Sequence, residues 1–337
     1  VKGIAHFVSG VAVATCFPEI VHSASHSLAF GPALGGLAGL LPDTLDFKIT
    51  RYFWRVDDEI DPAEIVDKVG NPDPQAIADR IARAMNQAYK SGRIVHIRLH
   101  TIRLGPDLWR QWSVAFDLLR SQVVVGIGPV VTTAQVPFAS SELPGLDPAR
   151  AQVQPCILCT YDGETQIDVF DGPSLAFERV EDALQVTFLP WHRAWSHSLL
   201  MALSVGLLGW FLAPAYGLAL ALAVLSHIVE DQIGFMGCNL LFPASRKRTR
   251  GLGWIRSGEA IPNFLVVWVG LAVILLNLDR FSETPILPVL PYLLVVIVLP
   301  CLFLLALSIW PWLQAKRQPT ELIAAVEALD ETDEIDI

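Results

Sequence analysis

Charge is what this sequence has least of. Only 17% of its 337 residues are Asp, Glu, Lys or Arg, against about 25% in an average soluble domain, and 53% are hydrophobic. With a mean hydropathy of +0.46, this composition points to a protein of the membrane. Basic charge is scarcer still. The net charge of −10 gives no electrostatic footprint for nucleic acid, so no nucleic-acid partner is expected. Much of the negative excess lies between Glu321 and Asp336, which reads as a short helix fading into disorder. The five cysteines, Cys16, Cys156, Cys159, Cys238 and Cys301, are too scattered for a disulfide framework. Cys156 and Cys159 form a CxxC, but no second pair stands at zinc-ribbon spacing, so it is read as structural. The N-terminus lacks a basic region and a cleavage site, so its first apolar run is expected to be retained. No internal repeat is found.

What is present is a set of apolar runs. They predict a polytopic α-helical membrane protein of about six hydrophobic segments, some short, paired as 4–21 with 27–41, 199–213 with 215–229, and 261–278 with 286–310. The Gly- and Ala-rich second run suits close helix packing. Leu199 to Leu225 carries no charge; as one helix it would measure about 40 Å against a hydrocarbon core of about 30 Å. Pro214 offers a break, making a helical hairpin, with a single long helix as the alternative. Between the runs, residues 48–190 regain charge and predict a soluble α+β insert, mostly antiparallel sheet. Asp73-Pro74 caps a helix over 75–89, and the alternation from Arg93 to Leu104 predicts a strand. Further strands are expected at 113–119, 123–133, 156–161, 165–170, 175–178 and 184–189, with Asp162-Gly163 as a hairpin turn.

The resulting division is 1–47 for the first membrane helices, 48–190 for the insert, 191–242 for the hairpin, 243–260 for a basic loop, 261–312 for the last helices and 313–337 for an acidic tail. The loop holds Arg246, Lys247, Arg248, Arg250 and Arg256, whereas the opposite connections carry only Arg280. By the positive-inside rule the insert, loop and C-terminus are cytoplasmic, with the basic cluster against anionic headgroups.

Polar residues gather at the ends of these runs: His6; Asp43 and Asp46; His192 and His197; His227 and Asp231. Such groups are costly in a bilayer and mark a site. Imidazole and carboxylate are the ligand types of zinc, with manganese or iron as alternatives, and all seven residues are candidate ligands. Asp43 to Asp46 and His227 to Asp231 have helical spacing, but the five residues between His192 and His197 place one of them in a turn. Arg193 is either a phosphate clamp or a headgroup anchor. Glu230 is expected to face solvent or pair with a basic residue rather than act as a base. His22 and His26 read as loop residues, and His96 and His100 as exposed structural histidines on a strand face.

An N-terminal His, Leu40-Leu41-Pro42-Asp43 with Asp46, His192-Arg193-Ala194-Trp195-Ser196-His197-Ser198, and Ser226-His227 with Asp231 before Pro243 together resemble the YdjM/YbcI-type family of bacterial inner-membrane metal-dependent hydrolases. The resemblance covers residues 1–47 and 190–245 and leaves out the insert. It implies a divalent metal and, through a distant relation to zinc-dependent phospholipase C, phosphoester hydrolysis. Two departures stand out. Asp46 follows Asp43 by three residues rather than two, with Phe47 where the family has His, a departure that bears on Asp46 as a ligand and on the number of metals. Ala194 stands where the family commonly has Gly.

With a metal bound, Asp231 or Asp43 would orient water and Arg193 would hold the anionic part of the substrate, a membrane lipid or similar amphiphile. The alternative is a membrane-anchored interaction module working through the insert on a protein partner; the family's name suggests binding to the LexA repressor. A transporter fits less well, because the polar groups sit at helix ends rather than at the midplane.

Overall fold

A computed structural model describes residues 2–26, 30–138, 141, 147–159, 164–167, 174–245, 247–255, 258–304 and 306. The expected hairpin turn at 162–163, Arg246, Arg256 and the acidic tail lie outside them. The chain divides into two compact units, one of Val1–Pro42, Leu199–Gly234 and Leu252–Ile337, the other of Asp43–Ser198 and Phe235–Gly251.

The second unit is built on two five-stranded sheets and one long helix. Helix α5 (Pro74–Ser91) starts where the Asp73 carboxylate accepts the backbone N–H groups of Gln75 and Ala76. Pro74 fills the first turn, where a missing N–H costs nothing, and Gly92 ends the helix at φ 66°. Its apolar stripe, Ile77, Ile81, Ala84, Met85 and Ala88, is buried as expected. One sheet runs β1 (Asp58–Ile60), β2 (Val95–Leu99), β9 (Ser174–Val180), β10 (Ala183–Phe188) and β7 (Cys156–Cys159). The other runs β3 (Ile102–Gly105), β4 (Leu108–Asp117), β5 (Gln122–Thr132) and β6 (Ala149–Gln152), with β8 (Glu164–Ile167) also paired to β4. The pairings are antiparallel except β1 with β2 and β10 with β7. A single core joins both sheets to α5 through Ile97, Leu99, Trp112, Val125, Phe177 and Leu184.

The strand expected over 93–104 divides at His100-Thr101, where the His100 carbonyl accepts the Trp112 indole N–H and the chain crosses to the second sheet. Strands β1 and β6 were not foreseen; at three and four residues they are too short for a period to be read.

The first unit is helical: α1 (Gly3–Thr15), α2 (Pro18–His26), most of α3 (Gly31–Leu45), α6 (Leu199–Trp210), α7 (Pro214–Ile233), α8 (Ala260–Arg280) and α9 (Val289–Tyr292). His22 and His26 therefore lie in a helix, not a loop. The uncharged run from Leu199 breaks before Pro214, and Gly206 and Gly217 let α6 and α7 meet backbone to backbone. The same device joins α1 to α3, where Gly10 and Gly35 face each other's carbonyls. A Cβ on Gly35 would also stand 2.5 Å from that of Ala14, so Gly35→Val is expected to cost about 1–3 kcal/mol. Gly258→Ala, which meets nothing within 4 Å, should leave the thermal midpoint of the detergent-solubilised protein unchanged. Asparagines on α8 tie both ends of α1: the Asn263 side-chain oxygen accepts the Lys2 N–H, and Asn277 donates to Thr15 Oγ1.

These elements overturn the reading as a polytopic helical protein of about six hydrophobic segments. Among the described residues only α7 and α8 are long and apolar enough to cross a membrane. A third would be added if α1 and Pro18–Ser25, bent by 95°, act as one span. Much of the remainder is sheet. The runs were real, but backbone breaks shorten them. Pro18 turns the first, Pro214 leaves α6 with 12 residues, and beyond Pro288 and Pro291 the last passes into a π-helical stretch, Leu293–Val298.

Candidate metal centre

Helix α3 ends in a π-helical turn, Asp46–Thr50, followed by the short helix α4 (Arg51–Phe53). This wider turn carries the buried Asp46, which organises the loop between β10 and α6. Its Oδ2 accepts the Arg193 backbone N–H at 2.7 Å and lies 3.0 Å from His192 Nδ1; its Oδ1 accepts the Ser196 hydroxyl at 2.6 Å. Arg193 sits at φ 59°, uncommon for a side chain of its size, and its carbonyl accepts the Asn239 N–H. Trp195 donates its indole N–H to Thr50 Oγ1, and Phe47 packs on the rings of Trp191 and His192.

These contacts assign the tautomers. An ionised carboxylate only accepts, so His192 Nδ1 carries the proton. Ser196 gives its own proton to Asp46, leaving its oxygen to accept from His197 Nδ1 at 2.9 Å. Burial alone would raise the Asp46 carboxyl, but hydrogen bonds from His192 and His197 prevail and hold it well below the usual carboxylate range. Burial pushes the His192 imidazole down, toward the neutral form. In the neutral form each ring presents an Nε2 lone pair, and both face one oxygen, Asp43 Oδ1, at 3.4 Å from His197 and 3.9 Å from His192. The five-residue spacing is accommodated because neither histidine is on a helix: the rings stand 5.3 Å apart at 82°.

Two lone pairs aimed at a carboxylate oxygen repel unless a cation lies between them. Tetrahedral ligands bonded at 2.0–2.1 Å stand about 3.4 Å apart, the separation of His197 Nε2 from Asp43 Oδ1. The donor set therefore fits a divalent metal. Asp46, His192 and His197 can also each bring one ligand atom within 4.8 Å of the others. Asp46 also accepts from three donors, an arrangement that suits a carboxylate orienting the imidazoles as well as one in the ligand set.

In the helical unit the other three of these residues lie close together. His227 on α7 donates Nδ1–H to the Gly39 carbonyl at 2.7 Å, which turns its Nε2 toward Asp231 Oδ2 at 3.4 Å. His6 on α1 stacks on His227, ring centroids 3.8 Å apart, and brings Nε2 to 3.5 Å from Asp231 Oδ1. Of the seven residues expected as ligands, Asp43, Asp46, His192 and His197 thus lie in one unit and His6, His227 and Asp231 in the other.

Three contributors were missed. Ser196 stood inside the motif without an assigned role. Glu230, expected to face solvent or a basic residue, lies against His6. Arg248, expected at lipid headgroups, donates instead to the carbonyls of Leu189 and His192 at 2.9 and 2.7 Å. Burial, and next the charge of Arg193, bring its guanidinium down to about 10, still cationic at neutral pH. No helical or strand period could have shown this. In the CxxC, Cys156 and Cys159 fall on opposite faces of β7, and Cys159 packs against the core. Burial pushes the Cys159 thiol up to about 11. Its alkylation, followed by mass spectrometry of the tryptic peptide, should therefore stay slow at neutral pH and rise about tenfold per pH unit until that range.

Apolar helices of membrane-spanning length, carried in one chain with buried His/Asp sets that could bind a metal, define a membrane protein. Residues 165–314 match the model of the YdjM inner membrane protein family, so the chain is similar to that family over the second motif, both long apolar helices and the loop between them. No curated protein and no solved structure matches the chain.

Proposed function

We propose that the protein is a metal-dependent hydrolase acting on a phosphoester or lipid-like substrate at the cytoplasmic face of the membrane. The observation that carries this is the pair of histidines, His192 and His197, whose Nδ1 protons are committed and whose Nε2 atoms face Asp43. Asp43, His192 and His197 would hold the ion with Asp46 behind them, and His6, His227 and Asp231 form the corresponding set in the helical unit. Zinc suits the imidazole-rich donors best, with manganese or iron as alternatives. When bound, such an ion supplies hydroxide at neutral pH and neutralises charge on a phosphoryl oxygen. The chain's own part is to orient water at the carboxylates of Asp43 or Asp231 and to hold an anionic group with the Arg193 guanidinium.

Location supports an amphiphilic substrate. Tyr52 and Phe53, a few residues beyond Asp46, are 64% and 86% exposed, as interfacial aromatics are. The connection between the two membrane-length helices carries five basic residues, which favours the cytoplasmic side for it and for the sheet-bearing unit to which most of it belongs. The test is turnover of phosphodiester substrates with lipid headgroups by the detergent-purified protein. Activity present in wild type and lost in His197→Ala supports the reading; equal activity in both contradicts it.

A further inference from the structure

The π-helical turn and α4, which follow α3 directly, carry a pattern of exposure that water does not account for. Asp46 and Thr50, four residues apart, are buried and hold the loop between β10 and α6 through the Arg193 N–H and the Trp195 indole. Ile49, Tyr52 and Phe53, spaced i, i+3 and i+4, fall on another face and are 45%, 64% and 86% exposed. Single exposed apolar side chains are ordinary, but a contiguous face of them marks a surface that meets something other than solvent. The segment is also tied to the sheet. The Trp54 ring packs at 83° against that of His96, and Arg98 donates to the Arg51 carbonyl at 3.5 Å.

Its charge is as uneven as its exposure. In a chain of net charge −10, residues 47–56 carry Lys48, Arg51 and Arg55 and no acid. The Arg51 guanidinium lies over the Tyr52 ring, 4.7 Å from its centroid, and donates to its hydroxyl, so cation and aromatic present one surface. The Arg55 side chain, 78% exposed, has Asp57 at 3.5 Å, a pair so open to water that it holds the arginine weakly. Along the chain, the segment starts a few residues after Pro42, which closes the first stretch of the unit that carries both membrane-length helices.

We propose that residues 47–55 bind the anionic surface of the bilayer, with Ile49, Tyr52 and Phe53 entering the interface and Lys48, Arg51 and Arg55 on headgroup phosphates. Aromatic rings and long basic side chains are the residue types that settle at this depth. An acid-free, basic face suits anionic lipid by charge, and the chain tethers it beside one. This goes beyond the hydrolytic reading, since the surface is bound whether or not a metal is held.

The experiment is hydrogen exchange, read by mass spectrometry, on the full chain in nanodiscs of phosphatidylcholine alone and of phosphatidylcholine with phosphatidylglycerol. Peptides over 47–55 should exchange more slowly in the anionic discs. Arg55→Gln, which changes one exposed side chain, should weaken that protection by up to about fivefold. Lys48→Gln/Arg51→Gln/Arg55→Gln should abolish it, as should raised salt. Peptides of α5 report folding and should exchange alike throughout. Equal exchange in the two kinds of disc overturns the proposal, including the case in which Tyr52→Ser/Phe53→Ser speeds both, which marks apolar insertion without a charge preference. Slowing in detergent that grows with chain concentration marks a second copy on this face and also overturns it.

Discussion

Replacing His197 with alanine is expected to abolish hydrolysis and to weaken divalent-metal binding by more than about 100-fold, while the sheet-bearing unit stays folded. His197 is fully buried, its Nδ1 is engaged by Ser196, and its Nε2 lies 3.4 Å from Asp43 Oδ1. Loss of a group that merely orients a ligand costs about 10–100-fold in metal affinity, so loss of the ligand itself should exceed that range. Ser196→Ala provides the comparison. It removes the relay from His197 to Asp46 but leaves the imidazole, and should fall within the 10–100-fold range. Isothermal titration with zinc separates the two. Equal affinities in His197→Ala and wild type would mean that the imidazole serves only packing.

The largest stability effect is expected at Asp46. Asp46→Ala leaves the Arg193 N–H, the Ser196 hydroxyl and His192 Nδ1 buried without their acceptor. Each orphaned group costs about 1–3 kcal/mol, and breaking a buried charged network typically costs about 3–5 kcal/mol. Asp46→Asn keeps one acceptor oxygen and should lose less than half of that. Urea denaturation in detergent, followed by the fluorescence of Trp191 and Trp195, reads both variants. An Asp46→Ala protein that unfolds at the wild-type midpoint would show that the loop is held by something else.

The two roles explain why the sequence was more informative about which residues matter than about what each does. The histidines and aspartates were legible because polar groups beside apolar runs are rare and costly, whatever fold surrounds them. Asp46 was legible as a candidate, but its hold on the loop was not, since only the structure shows the Arg193 N–H and the Ser196 hydroxyl upon it. Glu230 and Arg248 were not legible. Each acts on residues distant in the chain, His6 in one case and the carbonyls of Leu189 and His192 in the other.

For the fold, α5 could be read to within two residues at each end because its cap, first-turn proline and apolar stripe agree with one another. The apolar runs misled because hydropathy reports composition, whereas spanning depends on an unbroken backbone, and Pro18, Pro214, Pro288 and Pro291 interrupt it. Strand β1 is too short to alternate, and it is held by parallel pairing to β2, which no local pattern encodes.

The most direct measurement is the metal content of the wild-type chain, purified in detergent without chelator and analysed by elemental mass spectrometry. The expected result is at least one zinc, manganese or iron per chain, falling in His197→Ala and in His227→Ala. Metal below a tenth of an equivalent in wild type, with both variants as stable as wild type, would contradict a metal centre built on these histidines.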